Sequence, residues 1–135
     1  MLFRSTPAFT SRATELSKGI AAFWKDIASY QAQTTIVTMT EFGRRFQENA
    51  NRGLDHGSAS TMMVVSSKLN GGKVYGTWPG LADNQLFGGD LAVSTDYRTV
   101  LSEVLVTQHG EQKIANVFPT VPYYPLGMFA TPPGS

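Results

Sequence analysis

The stretch that most constrains this chain runs from Thr35 to Val65: TIVTMTEFGRRFQENANRGLDHGSASTMMVV. Thr35 to Met39 is a short apolar run rich in β-branched residues, the pattern of a strand covered on both faces. Thr61 to Val65 reads the same way, although Met62 and Met63 also suit a helix. Between these two strands the sequence predicts a long polar loop. It carries the densest set of ligand-type side chains in the chain: Glu41, Arg44, Arg45, Glu48, Asn49, Asn51, Arg52, Asp55, His56 and Ser58. Long loops between core strands are uncommon in compact domains and tend to carry function. The candidate site is therefore placed here.

The 135 residues suffice for one ordinary domain. Charged residues are only 16% of the chain, which is low for a soluble domain and suggests that part of its surface is covered by a partner or by missing chain. With a net charge of +1 and scattered Lys and Arg, no nucleic-acid stripe is present. No apolar run has the length of a membrane span. The absence of cysteine excludes disulfides and thiolate metal sites. MLFRSTPAFTSRA lacks the long apolar segment and cleavage site of a signal peptide.

Residues 12–30 give a strong helix signal. Leu16, Ile20, Phe23, Ile27 and Tyr30 share one face, widened by Trp24 and Ala28, and Thr10 or Ser11 is the expected cap. Met1 to Phe9, with Pro7, is expected to be loose. A helix, a short link and a buried strand make half of a βαβ unit, but no strand precedes residue 12. After the second strand, Asn70-Gly71-Gly72 reads as a hairpin turn and Asp90 to Ser94 as a short edge strand. Ser94 or Thr95 is expected to cap a second helix with a buried stripe of Tyr97, Val100, Leu101, Val104 and Leu105, stopped at Gly110. Val117 to Ser135 has five prolines and no charged side chain, and is expected to be extended. PTVP and PYYP have polyproline-ligand spacing, but without flanking basic residues a surface strap is the better reading.

Asp55 and His56 are adjacent, and Glu41 follows the first strand. Carboxylate oxygen and imidazole nitrogen suit zinc, manganese or magnesium-type sites. Ligands of open α/β sheets gather at the carboxyl ends of strands. The bland alternative is an Asp capping a turn beside a surface His. His109, at the end of the second helix, is read as a helix-end cation. Ser58 and Ser60 lack a glycine-flanked nucleophile elbow, and Gly71-Gly72 lacks phosphate-loop spacing.

TMTEFGRRFQEN, GLDHGSASTMMVV, GGKVYGTWPGL, GDLAVSTDYRTVLSEVL and VFPTVPYYPLGMF occur in that order. Together they closely resemble a bacterial family catalogued as domain of unknown function 1501, itself similar to the alkaline phosphatase and sulfatase superfamily. The resemblance covers roughly residues 12–129 and matches the C-terminal part of longer proteins. Those proteins carry a Gly-Gly-Trp-Asp-Thr-His motif and a twin-arginine export signal, neither of which is present in this sequence. The resemblance implies an α/β fold, the C-terminal portion of an alkaline-phosphatase-like three-layer sandwich with a small hairpin. It implies a flexible segment 1–11, a partial domain 12–116 and an extended Pro-rich tail 117–135. It implies a divalent metal (zinc, manganese or calcium) with Asp55, His56 and Glu41 as ligands, and Arg44 as a substrate-binding cation. In the superfamily a strand ends in Asp-His; Glu41-Phe42 stands in that place, and Phe42 cannot ligate. The implied function is metal-dependent hydrolysis of a phosphate or sulfate ester, with this chain inactive alone. The alternatives are a non-catalytic binding or cell-surface module, or one half of a split protein. A missing N-terminal half or self-association is the expected partnership, with no nucleic acid involved.

Overall fold

The computed structural model describes residues 7–51, 53–110 and 113–129. It is a mixed α/β structure with two small antiparallel sheets. Helix α1 spans Pro7–Asp26 and is followed by a 3-10 segment, Ala28–Gln33. Strands β1 (Thr35–Thr38), β2 (Gly43–Glu48), β3 (Leu54–Gly57) and β4 (Met63–Ser66) come next. A 3-10 turn, Asp83–Gln85, precedes helix α2 (Tyr97–His109) and the short helix α3 (Ile114–Val117).

Helix α1 begins earlier than its apolar spacing suggests. Proline suits a first helical turn, where its missing N–H has no partner in any case. The described part of the 1–11 segment, expected to be flexible, is thus helical, and Thr10 and Ser11 lie inside the helix rather than capping it. The α-helix ends at Asp26, and the chain tightens into the 3-10 segment, where the Gln31 side chain donates to the Trp24 carbonyl (2.7 Å).

β1 pairs with β4, Ile36 opposite Val65 and Val37 opposite Val64. The pairing is antiparallel. Apart from the exposed Met63 their residues are half-buried rather than covered on both faces. The intervening segment, expected to be a long loop, is itself a β-ribbon formed by β2 and β3. Neither the Asn70-Gly71-Gly72 hairpin nor the 90–94 edge strand forms as a strand. Leu69 instead bridges Phe129, and Asp90 bridges Arg45 and Phe87.

Helix α2 is capped by Asp96, not Ser94 or Thr95. Its carboxylate accepts from the Arg98 N–H (2.8 Å) and is gripped by the Arg98 guanidinium. The hydrogen bond from the Arg98 side chain holds the Asp96 carboxyl below its usual range. Gly110 closes the helix in the left-handed region (φ 63°) as expected, its N–H donating to the last-turn carbonyls. Tyr97, assigned to the buried stripe, is exposed, while Ser102 and Glu103 are buried with Val100. Near its C-terminus Gln108 donates to Thr35 Oγ1 (2.6 Å) and Ser66 Oγ (3.0 Å), tying α2 across the β1–β4 pair.

The core is closed by the tail. Val100 packs with Met128 and Phe129, flanked by Met62, Val64, Leu69, Tyr75, Val104 and Leu126. Backbone groups of the tail find a single side chain to bond: Glu103, 3% exposed, accepts N–H bonds from Leu126 (2.6 Å), Met128 (2.5 Å) and Phe129 (3.2 Å). A buried carboxylate is costly unless hydrogen-bonded, and three backbone donors supply that compensation. Residues 130–135 of the expected tail lie outside the described residues.

Burial, and secondarily the Glu103 charge, push the nearby Tyr123 phenol above its usual value of 10.0. The unfolded chain releases that proton first. The stability contributed by neutral Tyr123 is therefore complete below about pH 10 and lost as pH rises through the higher folded value. In an alkaline titration followed by ultraviolet absorbance, one of the five tyrosines is expected to ionise after the rest. Tyr123→Phe should remove that late component; a late component that survives the substitution contradicts the assignment.

Candidate functional site

The candidate residues cluster on the β2–β3 ribbon, and two glycines allow that ribbon to form. A Cβ on Gly57 would lie 2.4 Å from the Arg44 carbonyl carbon, and one on Gly43 would lie 2.3 Å from the Ala59 nitrogen. The backbones therefore approach closely at the base of the ribbon, where Arg44 N–H donates to the Ala59 carbonyl (2.8 Å). On its other edge β2 meets the Phe87–Leu91 segment. Phe46 N–H donates to the Gly89 carbonyl (3.2 Å), and Leu91 N–H to the Arg44 carbonyl (3.2 Å).

Asn49 organises the turn at the far end. Its side-chain oxygen accepts from the N–H groups of Asn51 (3.1 Å) and Gly53 (2.8 Å), and its amide donates to Asp55 Oδ1 (2.8 Å). Asp55 is thus engaged in holding the turn, close to the bland reading of that residue.

His56 lies directly opposite Arg44 in the ribbon register. Directly opposed residues share a face, and so do residues two apart in one strand. Phe42, the residue just before β2, stacks on the His56 ring, centroids 4.1 Å apart and planes 19° apart. The same alternation directs the adjacent Asp55 and His56 side chains to opposite faces. These two residues therefore do not converge as a bidentate pair. Glu41 is exposed in the bend between β1 and β2. Among the described residues, no group of three or more His, Cys, Asp or Glu comes together where a metal ion could sit.

A second polar cluster centres on Asp90. Its carboxylate accepts from Ser58 Oγ (3.0 Å) and pairs with Arg45 Nε at 3.6 Å, while Arg45 also donates to the Gly88 carbonyl (3.3 Å). The Ser58 hydroxyl is therefore directed to a carboxylate. Sequence reasoning treated Asp90 as the start of an edge strand and did not connect it with Arg45 and Ser58. A contact between residues 32 apart leaves no local trace. Glu103 was equally missed, though a carboxylate at helical spacing from Val100 was a readable sign of an unusual burial.

A family model described as "Protein of unknown function (DUF1501)" matches residues 5–106. No curated protein matches the chain. No solved structure matches it.

Proposed function

The chain belongs to the family of proteins of unknown function DUF1501, and from that premise we propose that it carries part of the site of a metal-dependent phosphate- or sulfate-ester hydrolase-like protein and is inactive alone. In this reading residues 12–116 form part of an alkaline-phosphatase-like three-layer sandwich. The site, in this reading, is completed by ligands from a partner polypeptide.

The observation that carries the proposal is the Phe42–His56–Arg44 face. Stacking covers one face of the imidazole and orients it, while the ring nitrogens, whose lone pair and N–H lie in the ring plane, stay available at the edge. Arg44 across the ribbon offers the planar cation that suits a phosphate or sulfate oxyanion. The proposed ligands are His56 and Glu41, with Arg44 binding the anion. Asp55, proposed as a ligand from sequence, is assigned instead to the turn through Asn49. The chemistry a divalent ion supplies when bound is Lewis-acid polarisation of the ester oxygen.

The test combines zinc, manganese or calcium calorimetry with p-nitrophenyl phosphate and p-nitrophenyl sulfate assays. The chain alone should give no turnover above the metal blank. Metal binding should fall in His56→Ala and Glu41→Ala and persist in Asp55→Ala. Robust turnover abolished by His56→Ala would overturn the inactivity, and binding that depends on Asp55 but not His56 would overturn the ligand assignment.

A second reading is favoured by Phe42, which stands exposed where a ligand would be needed. In that reading the aromatic and cationic face of the ribbon is a non-catalytic binding surface. It predicts oxyanion binding, sensitive to Arg44→Ala, that needs no metal.

A further inference from the structure

The apolar side of α1 stands exposed. Leu16 is 50% exposed and Phe23 51%, and the helix packs chiefly against the 3-10 segment that follows it. Phe9, Ala13, Leu16, Ile20, Phe23 and Ile27 recur at alternating spacings of four and three. Within α1 that is a heptad seam, with Ala13 and Ile20 at the a positions and Phe9, Leu16 and Phe23 at the d positions; Ile27 follows directly on the helix end at Asp26. Inside the helix the spacing holds for about two heptads, from Phe9 to Phe23.

We propose that α1 is a self-association surface, and that two copies of this chain pair through it as an antiparallel coiled coil centred near Ser17 to Gly19. Size and charge both select this arrangement. With the helices antiparallel and Leu16 of one copy layered on Ile20 of the other, Ala13 faces Phe23, so a small residue meets a large one at both outer layers. In the same register the flanking Arg12 of each copy lies beside Asp26 of the other, forming two opposite-charge pairs. A parallel arrangement separates these residues by fourteen positions along the helix and pairs neither.

Gly19 supports the same register. It sits in mid-helix, where glycine is unfavourable, and a Cβ there would meet nothing within 4 Å in the single chain. At the proposed centre Gly19 meets Gly19 of the second copy, and a missing side chain lets the helices close. Arg12 Nη1 holds Glu15 at 2.8 Å in the isolated chain, and both side chains are exposed. A guanidinium has five donors and can serve Glu15 and Asp26 of the second copy together.

The experiment is sedimentation equilibrium on the full chain across a concentration series. A reversible monomer–dimer equilibrium is expected. Phe23→Glu should abolish it without unfolding the chain, because Phe23 is exposed. Arg12→Asp and Asp26→Arg, each placing two like-charge pairs at the interface, should each weaken association on the order of tenfold. An equimolar mixture of those two variants should associate more tightly than either variant alone and to within a few fold of the parent, since every mixed dimer restores both opposite-charge pairs. A chain that stays monomeric throughout overturns the proposal. So does association indifferent to Phe23→Glu, or a mixture no tighter than its components.

Discussion

Glu103→Ala is expected to detach residues 126–129 from α2 and to destabilise the fold by about 3 kcal/mol or more. The substitution removes the acceptor of three N–H groups, two of them in the buried residues Met128 and Phe129. Each buried donor left unpaired costs on the order of 1–3 kcal/mol. The loss extends beyond the hydrogen bonds, because Met128 and Phe129 are two of the four buried apolar residues among those described. Glu103→Gln separates the two carboxylate oxygens. An amide oxygen in place of Oε1 keeps the bonds from Met128 and Phe129, while an amide nitrogen in place of Oε2 opposes the Leu126 N–H. The glutamine variant should therefore fall between parent and alanine. Denaturant unfolding gives the ranking, and hydrogen exchange at Leu126, Met128 and Phe129 gives the location. Unchanged protection at those three amides in Glu103→Ala would remove the role assigned to this carboxylate.

The second large effect is expected at the base of the ribbon. Gly57→Ala and Gly43→Ala each place a methyl carbon within 2.4 Å of backbone atoms that cannot rotate aside, those of Arg44 in β2 for Gly57 and those of Ser58 and Ala59 just after β3 for Gly43. Relief requires β2 and β3 to separate, at a cost of about 1–3 kcal/mol. Separation also breaks the register that sets His56 opposite Arg44 and beneath Phe42. Thermal melting should show the loss. The His56 ring protons should lose the upfield shift that an aromatic face imposes. Gly71→Ala is the control: its nearest neighbour would be 3.9 Å away, an ordinary contact, and it should alter stability by no more than about 0.5 kcal/mol. A Gly57→Ala protein with parent stability and parent His56 shifts would show that the close approach is not needed.

The sequence by itself determined the features that depend on neighbours along the chain. Apolar residues at helical spacing, with Gly110 able to adopt φ 63°, were enough to place α2 and its end. The β-branched run from Thr35 placed β1, and the concentration of polar side chains between residues 41 and 58 pointed to the segment that carries the candidate site. Five ordered motifs pointed to the family. Only the tertiary structure decided which of those side chains meet. Asp55 and His56 are adjacent in sequence, yet strand alternation sends them apart, and it brings Phe42 onto His56 across the ribbon instead. The polar segment became a ribbon because Gly43 and Gly57 let two backbones touch, a property of glycine that acts only when a second strand is present. Glu103 is buried where three tail N–H groups, at least 23 residues away in sequence, donate to its carboxylate. Local periodicity reports which face of an element is apolar; partners at that separation are chosen by the balance of burial and hydrogen bonding over the whole fold.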